Sequence, residues 1–408
     1  MDESSRPRLD KEGLQGVLNQ PSRKPPRPPP CPRGERFKVF CVPSSLEGIP
    51  PYNRSEKSAV LLGRPGTFTP AGQFPTSNVI IDAERYSYEG NWLFCTFTQS
   101  DIVAARIGFG RGKMDWRDYG LEEAPISAKA LFSRIEILTS QGIYAYLSSD
   151  PHSGKALTSS PTALDIRFNQ GQQDLIRMSG WPVTRWQFQN PAGTLAVDLT
   201  VHMNTLTVWP DFLMPNNIFG VSVGSAAVSG KVRIEGESTS VAGTAVFDHP
   251  RIVVQPNAVA PFGWYLYAPI QFADGIQLAC YYAEDGTGQR DDIYSAGMRV
   301  WKDGIGHWLG DCQVSNLKLD DDGLPVQWET QLRGESCSAF FSAKIRQLPL
   351  VRSWDNADSS RTQGKYVAYP LLMEVEGEAE FQGQKVRLEQ GRGIAEFLVR
   401  KGLQPKFP

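Results

Sequence analysis

The stretch that decides the fold runs from Val228 to Ile270 and reads VSGKVRIEGESTSVAGTAVFDHPRIVVQPNAVAPFGWYLYAPI. It holds a strand pair punctuated by glycine, then an acid beside an imidazole at Asp248-His249, and then the aromatic run Trp264-Tyr265-Leu266-Tyr267. Short β-branched and aromatic runs that are separated by turn residues are typical of antiparallel strands. We therefore interpret this stretch as the end of one β unit and the start of the next.

Parts of this stretch recur elsewhere in the chain, and they recur in one order. The echoes pair Gly230, Gly236 and Gly243 with Gly377, Gly383 and Gly391, Pro182-Val183 before Trp186 with Pro325-Val326 before Trp328, and Gly90-Asn91-Trp92-Leu93-Phe94 with Gly263-Trp264-Tyr265-Leu266-Tyr267. Repeats in a fixed order indicate an internal duplication. When the glycines of the two halves are aligned, Asp248 corresponds approximately to Glu396, so an acid recurs in each half. Unlike Asp248, Glu396 lies at no obvious join between the halves.

Short strand signals fill most of the chain between these echoes. They include Asn78 to Asp82, Trp92 to Phe97, Val103 to Phe109, Ile143 to Leu147 and Gln277 to Tyr282. Amphipathic helical periodicity is nearly absent, and the segment Glu122 to Ser140 is compatible with one helix or with a helix followed by a strand. The sequence therefore predicts an all-β protein made of two similar antiparallel barrels.

We divide the chain into three parts. Residues 1–36 are rich in proline and charge, so we expect a disordered leader. Residues 37–255 are predicted to hold the first barrel with an N-terminal wrapping segment, and residues 256–408 the second barrel. The Gly-x-Gly-x-Gly pattern from Gly108 to Gly112 follows strand signals and precedes no evident helix, so we interpret it as a turn and not as a phosphate loop.

One strand signal shows which of its residues should be buried. The segment Leu195 to Met203 alternates, which predicts that Val197, Leu199 and Val201 face a core while His202 lies on the opposite face. The face that carries His202 is expected to contact either solvent or the lumen of a barrel.

Composition narrows the range of partners. The formal net charge is −2, so no overall field attracts nucleic acid or an anionic membrane. The 6 cysteines are scattered without a C-x-x-C pair, which fits free thiols in a reducing, cytoplasmic compartment. Neither an apolar signal region nor a transmembrane run is evident. Because the 4 histidines are far apart, we expect neither a metal ion nor another cofactor.

Several of these residues resemble the signatures of one family, the carotenoid 1,2-hydratase and AttH-like proteins. Trp264 to Leu278 resembles the W…Q-φ-x-D-G…L signature that opens its second barrel, where φ is any apolar residue. Gly243 followed by Phe247-Asp248-His249 is similar to the G…(W/F)-D-H signature that closes its first barrel. The glycines from Gly377 to Gly393, with Glu396 after them, resemble its terminal strand pair. The resemblance covers roughly residues 75–400.

The resemblance implies two tandem lipocalin-like β-barrels. It also implies an enzyme, because the family includes hydratases that add water to a terminal isoprenoid double bond and fungal cyclases that catalyse Diels–Alder reactions on polyenes. In this chain Pro250-Arg251-Ile252 replaces the acidic and aromatic residues that follow the Asp-His pair in the hydratases. This departure favours cyclisation over hydration.

We therefore predict an enzyme that binds an apolar polyene or isoprenoid-like substrate at the barrel junction and cyclises it, by a pericyclic or an acid-initiated route. The alternatives are a hydratase, a non-catalytic carrier of a lipid or pigment, and a structural stress protein with lipocalin-like barrels. The predicted catalytic residues are Asp248 and His249, and the predicted substrate-binding residues are Trp92, Trp264, Tyr265, Tyr267, Gln271 and Trp301. Alkene protonation needs a carboxylic acid kept neutral by an apolar wall, so the direction in which Asp248 points separates chemistry from carriage.

Overall fold

The computed structural model describes residues 68–79, 81, 88–98, 100–112, 131–150, 157–159, 163–170, 173–214, 217–254, 264–284, 298–302, 304–309, 311–321, 324–334, 336–354, 362–363 and 366–400. All of them lie in one compact unit, Glu47–Pro408. The predicted leader, residues 1–36, lies outside the described residues.

The described part of the chain is built almost entirely from strands. The first twelve are β1 Thr69–Pro70, β2 Tyr88–Phe97, β3 Ile102–Arg111, β4 Leu131–Thr139, β5 Ile143–Asp150, β6 Thr158–Ser159, β7 Asp165–Gln170, β8 Gln173–Ser179, β9 Val183–Gln189, β10 Leu195–Met214, β11 Asn217–Ile234 and β12 Glu237–Val254. The others are β13 Trp264–Gln271, β14 Gln277–Glu284, β15 Met298–Lys302, β16 Ile305–Leu309, β17 Asp311–Leu319, β18 Pro325–Arg333, β19 Cys337–Arg346, β20 Leu350–Ser353, β21 Thr362–Gln363, β22 Tyr366–Phe381 and β23 Gln384–Arg400. Two short 3-10 helices span Ala71–Gln73 and Thr76–Asn78.

These strands form two sheets whose central strands follow corresponding orders. Sheet A runs β20-β5-β4-β3-β2-β12-β11-β10-β9-β8-β7-β6 with β1 beside β10, and sheet B runs β16-β15-β14-β13-β23-β22-β19-β18-β17 with β21 beside β22. In each sheet the first long strand of its half pairs with the last, β2 with β12 and β13 with β23. The prediction of two antiparallel lipocalin-like units in tandem is confirmed. Among the described strands the edges of each sheet do not pair with each other, so each unit is an open, curled sheet.

Each sheet encloses its own hydrophobic core. Leu93, Phe109 and Phe247 belong to the core of sheet A, and Phe341 and Phe397 belong to that of sheet B. The echoed tryptophans are Trp186 on β9 and Trp328 on β18, and both are fully buried in these cores. β9 is the fourth strand beyond β2 in sheet A, and β18 is the fourth strand beyond β13 in sheet B. The two tryptophans therefore occupy corresponding strands, as the repeat in the sequence predicts.

Strand alternation places the polar residues of β10 as predicted. Val197, Leu199 and Val201 are buried, whereas Asp198 and His202 are exposed. His202 therefore faces solvent.

The glycine-rich run from Gly108 was predicted to be a turn, and this prediction is wrong because Gly108 and Gly110 lie inside β3. The physical reason is space for aromatic rings. A Cβ atom on Gly108 would lie 2.2 Å from the Trp92 ring. One on Gly110 would lie 2.2 Å from the backbone carbonyl oxygen of Glu89 on β2 and 2.7 Å from the Phe132 ring. These glycines let two aromatic side chains lie flat on the outside of sheet A.

Two other expectations fall partly on residues outside those described. Within Glu122 to Ser140, residues 131–139 form strand β4 and not a helix, and the part before residue 131 is not described. Within the strand expected from Asn78 to Asp82, Asn78 instead ends a 3-10 helix, and residues 80 and 82 are not described.

One strand from the second half of the chain joins the first sheet. β20 pairs with β5 in parallel, and the backbone N–H of Ile143 donates to the carbonyl of Pro349 at 2.8 Å. A strand from beyond residue 256 thus belongs to the sheet of the first half. The proposed domain boundary between residues 255 and 256 stays a prediction.

Candidate functional site

The outer faces of the two sheets meet in a third cluster of buried apolar residues, which we call the junction cluster. It contains Phe94, Val246, Tyr267, Ala279, Trp301 and Ile394, with Trp92, Tyr265 and Tyr281 packed against it. Phe94 of sheet A meets Tyr267 of sheet B edge to face at 5.2 Å between ring centroids. Tyr267 in turn stacks on Tyr281 at 4.2 Å. The junction is therefore an aromatic contact between the two halves.

Asp248 points into this junction. It lies on β12 opposite Trp92 of β2 and is 5% exposed. The hydroxyl of Tyr281, from sheet B, donates a hydrogen bond of 2.9 Å to its Oδ2 atom. The carboxyl group of one sheet is thus held by a phenol of the other.

His249 points the opposite way, because neighbouring residues of a strand face opposite sides of the sheet. It is 0% exposed inside sheet A, with Nδ1 3.0 Å from Oδ1 of Asn91 and Nε2 3.2 Å from Oε1 of Glu89. Burial is the largest effect on its pKa and lowers it, while Glu89 opposes that shift. The structure therefore does not bring His249 and Asp248 together.

The aromatic run on β13 divides between faces as alternation predicts. Trp264 lies in the core of sheet B, where its Nε1 donates to Oε2 of Glu284 at 2.9 Å. Tyr265 and Tyr267 reach the junction cluster. Trp264 is therefore separated from the other predicted substrate-binding residues.

The remaining predicted residues lie at the junction. Trp92 is half-buried there, and the buried Trp301 packs edge-on against Phe68 at 6.5 Å. The Nε2 atom of Gln271 donates to the backbone carbonyl of Phe94 at 3.3 Å. Gln271 therefore joins the two sheets.

A charged network that the sequence did not suggest crosses the same junction. Arg106 of β3 is buried and forms two hydrogen bonds with Glu136 of β4, one of them from Nη2 at 2.9 Å. Its Nη1 donates to Oε2 of Glu396, on β23 of sheet B, at 2.6 Å. The hydroxyl of Tyr265 donates to the other oxygen of Glu396. Both acids of the sequence echo, Asp248 and Glu396, therefore lie at the junction, and the expectation that Glu396 has no place at a join is wrong.

An aromatic layer lies between these two acids on the outside of sheet A. Tyr88 stacks on Phe132 at 5.2 Å, and Phe132 stacks on Trp92 at 5.6 Å. The Trp92 indole donates to the Tyr88 hydroxyl at 3.1 Å. Burial raises the pKa of Tyr88, and the charges of Glu396 and Asp248 raise it further, so this phenol stays protonated. We call this region, with Asp248, Tyr281, Arg134, Tyr265 and Glu396 around it, the junction edge.

The junction edge is only partly covered. Trp92, Phe132, Tyr265 and Tyr281 are half-buried, in contrast to the buried Tyr267 and Trp301 deeper in the junction. Partly exposed aromatic rings beside a few polar groups are typical of sites that bind apolar ligands.

Several of these residues could have been found from the sequence. Phe132, Arg134 and Glu136 alternate with Leu131, Ile135 and Ile137. Had this segment been interpreted as a strand, its charged face would have been a candidate. No pattern in the sequence pairs Tyr281 with Asp248, because that contact depends on how the two sheets meet.

Similar solved structures include a protein assigned as AttH from Nitrosomonas europaea, with a TM-score of 0.54 and 11% identity, covering 80% of this chain and 95% of that one. Kievitone hydratase from Nectria haematococca has a TM-score of 0.49 and 11% identity, covering 83% of this chain and 98% of that one. CghA has a TM-score of 0.41 and 12% identity, covering 83% and 96%. Neither family models nor curated protein sequences gave a match.

The first of these similarities shows the fold. The resemblance to the AttH-like proteins is therefore confirmed at that level: two lipocalin-like β units in tandem. Within the described ranges, no helix has the length and apolar character needed to span a membrane.

Proposed function

We propose that the protein is an enzyme that binds an apolar polyene or isoprenoid-like substrate at the junction edge and cyclises it. The observation that carries this proposal is the position of Asp248, a buried carboxyl group set among aromatic rings and hydrogen-bonded by Tyr281 of the opposite sheet. An apolar ligand would bury the exposed ring surface of Trp92 and Phe132. This burial would contribute a favourable free energy of roughly 25 cal/mol for each Å² of apolar area removed from water.

The chemistry follows from the surroundings of Asp248. A substrate that covers the junction edge would exclude water from Asp248, which favours the neutral form of a carboxyl group, and the neutral acid can protonate an alkene. The π electrons form the new C–H bond, and a second double bond of the same substrate then attacks the resulting cation. The cyclised cation finally loses a proton from a neighbouring carbon to the carboxylate left on Asp248, which gives a neutral isomer and regenerates the acid. At the junction edge, the half-buried ring of Trp92 would stabilise that cation by cation–π attraction.

A pericyclic route is the other form of the same proposal. It needs only a surface that folds the substrate into its reactive conformer and a hydrogen-bond donor that polarises it. The phenols of Tyr281 and Tyr265 lie at the junction edge but already donate to Asp248 and Glu396, so either would have to exchange that acceptor for the substrate. Hydration and simple carriage are the competing outcomes of the experiment.

The experiment is a screen of linear polyenes and isoprenoids with purified protein in D₂O, read by mass spectrometry. Acid-initiated cyclisation gives an isomer that carries one deuterium, whereas pericyclic cyclisation gives an isomer without deuterium. Hydration in this solvent adds the mass of one D₂O molecule. Recovery of tightly bound but unchanged compound would support a carrier and overturn the enzyme proposal.

Variants locate the reaction. Asp248→Asn keeps the shape of the side chain but cannot deliver a proton. Asp198→Asn is the matched control, because Asp198 forms a surface ion pair with Arg185 at 2.8 Å and is 48% exposed. A reaction lost in the first variant and retained in the second supports a site at the junction edge.

A further inference from the structure

Arg134 is a buried cation at the junction edge without a polar partner. It lies on β4 opposite Gly108 of β3 and is 6% exposed. Its guanidinium carbon lies 5.8 Å from the centroid of the Trp92 ring. No hydrogen bond or ion pair joins Arg134 to any residue that the structure describes. A guanidinium group carries five N–H donors. None of the Arg134 nitrogen atoms is among the fully enclosed polar atoms that lack a partner, so a ligand can reach them.

The nearby carboxylates are already engaged by another arginine. Both oxygens of Glu136 accept hydrogen bonds from Arg106. Of the two oxygens of Glu396, one accepts from Arg106 and the other from Tyr265. These acids balance the charge of Arg134 at a distance, since they act on its pKa, but they do not satisfy its N–H donors.

The groups packed around Arg134 cannot satisfy it either. Trp92 offers a ring face, and its indole nitrogen is a donor that is used on Tyr88. Phe132, two residues earlier on β4, has no polar atom in its side chain. Burial is the largest effect on the pKa of Arg134 and lowers it, and the charge of Arg106 adds to this. A new anion beside the group would oppose both effects.

We propose that Arg134 binds the carboxylate of an amphipathic ligand, whose unsaturated chain lies across the aromatic layer towards Asp248. The planar fork of an arginine matches the two oxygens of a carboxylate, which gives paired, charge-assisted hydrogen bonds. This inference rests on the proposed function for the apolar part of the ligand, and it adds the chemical class of its head group.

The test uses a conjugated polyene that is fluorescent when bound. cis-Parinaric acid and the alcohol with the same chain are titrated into the full-length protein, and dissociation constants are measured. The variants are Arg134→Met, which keeps an apolar stem over Trp92, and Arg134→Lys, which keeps the charge but loses the fork. Arg185→Met is the control, because Arg185 is 57% exposed in a surface ion pair.

The wild-type protein is expected to bind the acid about 10- to 100-fold more tightly than the alcohol, the range of hydrogen bonds to charged groups. Arg134→Met should remove that preference and leave the affinity for the alcohol unchanged, Arg134→Lys should retain part of it, and Arg185→Met should retain all of it. Equal affinities of the wild type for acid and alcohol would overturn the inference while leaving the apolar site intact. The inference would also be overturned by two results together. Arg134→Met would weaken the binding of the acid and of the alcohol equally, and a folded Arg134→Lys protein would bind the two ligands with equal affinity. Failure of both ligands to bind the wild type would overturn the proposed apolar site as well.

Discussion

Tyr281 of sheet B donates a hydrogen bond of 2.9 Å to Asp248 of sheet A. The two residues are 33 positions apart in the chain and belong to different halves of the duplication. The contact fixes the candidate acid in the space between the sheets. Because a hydroxyl group is the donor, it can be removed without changing the ring that stacks on Tyr267.

Tyr281→Phe should lower both stability and activity. The loss of one hydrogen bond is expected to reduce the free energy of unfolding by about 1 kcal/mol, measured by urea denaturation. Tyr282→Phe is the matched control, since the Tyr282 hydroxyl donates to Glu284 of the same strand of sheet B, at 3.2 Å. We expect similar stability losses in both variants but reduced turnover in Tyr281→Phe alone. Equal turnover in the two variants would show that the Tyr281 hydroxyl does not position the acid.

Gly108→Ala should disturb the aromatic layer. The added methyl group would lie 2.2 Å from the Trp92 ring, so the ring must move. Overpacking of this kind costs about 1–3 kcal/mol, which thermal unfolding can measure. Gly72→Ala is the control, because a Cβ atom there meets nothing within 4 Å. If the Gly108→Ala protein were as stable as the Gly72→Ala protein, the Trp92 ring would not pack directly against residue 108.

Arg106→Met should be the most destabilising of these changes. It leaves Glu136 and Glu396 at the junction without their cation, and removing one partner of a buried ion pair costs about 3–5 kcal/mol. Denaturant unfolding measures the loss, and Arg185→Met, in an exposed pair, should lose about 1 kcal/mol or less. Similar losses in the two variants would contradict the assignment of a buried network across the junction.

His249 should make the fold less stable in mild acid. Burial lowers its pKa in the folded state below the ordinary value of 6.5, so the unfolded chain binds the proton first as pH falls. Stability contributed by the neutral imidazole is therefore complete above that ordinary value and is lost as pH decreases through it towards the lower folded-state pKa. His249→Gln should show a shallower decline than the wild type in denaturation series across this range. Parallel curves would contradict a lowered pKa.

The fold was readable from the sequence because strand alternation and turn residues act locally. Val197 and His202 fall on the predicted faces of β10, and Trp186 and Trp328 fall on corresponding strands. Gly108 was misread because a glycine that makes room for a ring inside a strand has the same local pattern as a turn glycine. The reason for that glycine is Trp92 on the neighbouring strand, which no local pattern contains.

The candidate site was readable only in part. Alternation separates Tyr265 and Tyr267 from Trp264, and the same rule, applied to β12, separates Asp248 from His249. Predicting those two as a catalytic pair overlooked that rule. Arg134 was missed because its segment was not interpreted as a strand. Tyr281 was missed because its contact with Asp248 comes from the meeting of the two sheets, which depends on the packing of whole faces.

The central claim is that Asp248 delivers a proton to the substrate at the junction edge. The most direct measurement is the rate at which deuterium from D₂O enters the cyclised product, compared between the wild type and Asp248→Asn at equal folded fraction. We predict one deuterium per product in the wild type and a rate at least about 100-fold lower in Asp248→Asn, the scale of general acid catalysis. A folded Asp248→Asn protein that forms the same product at the wild-type rate would contradict the claim.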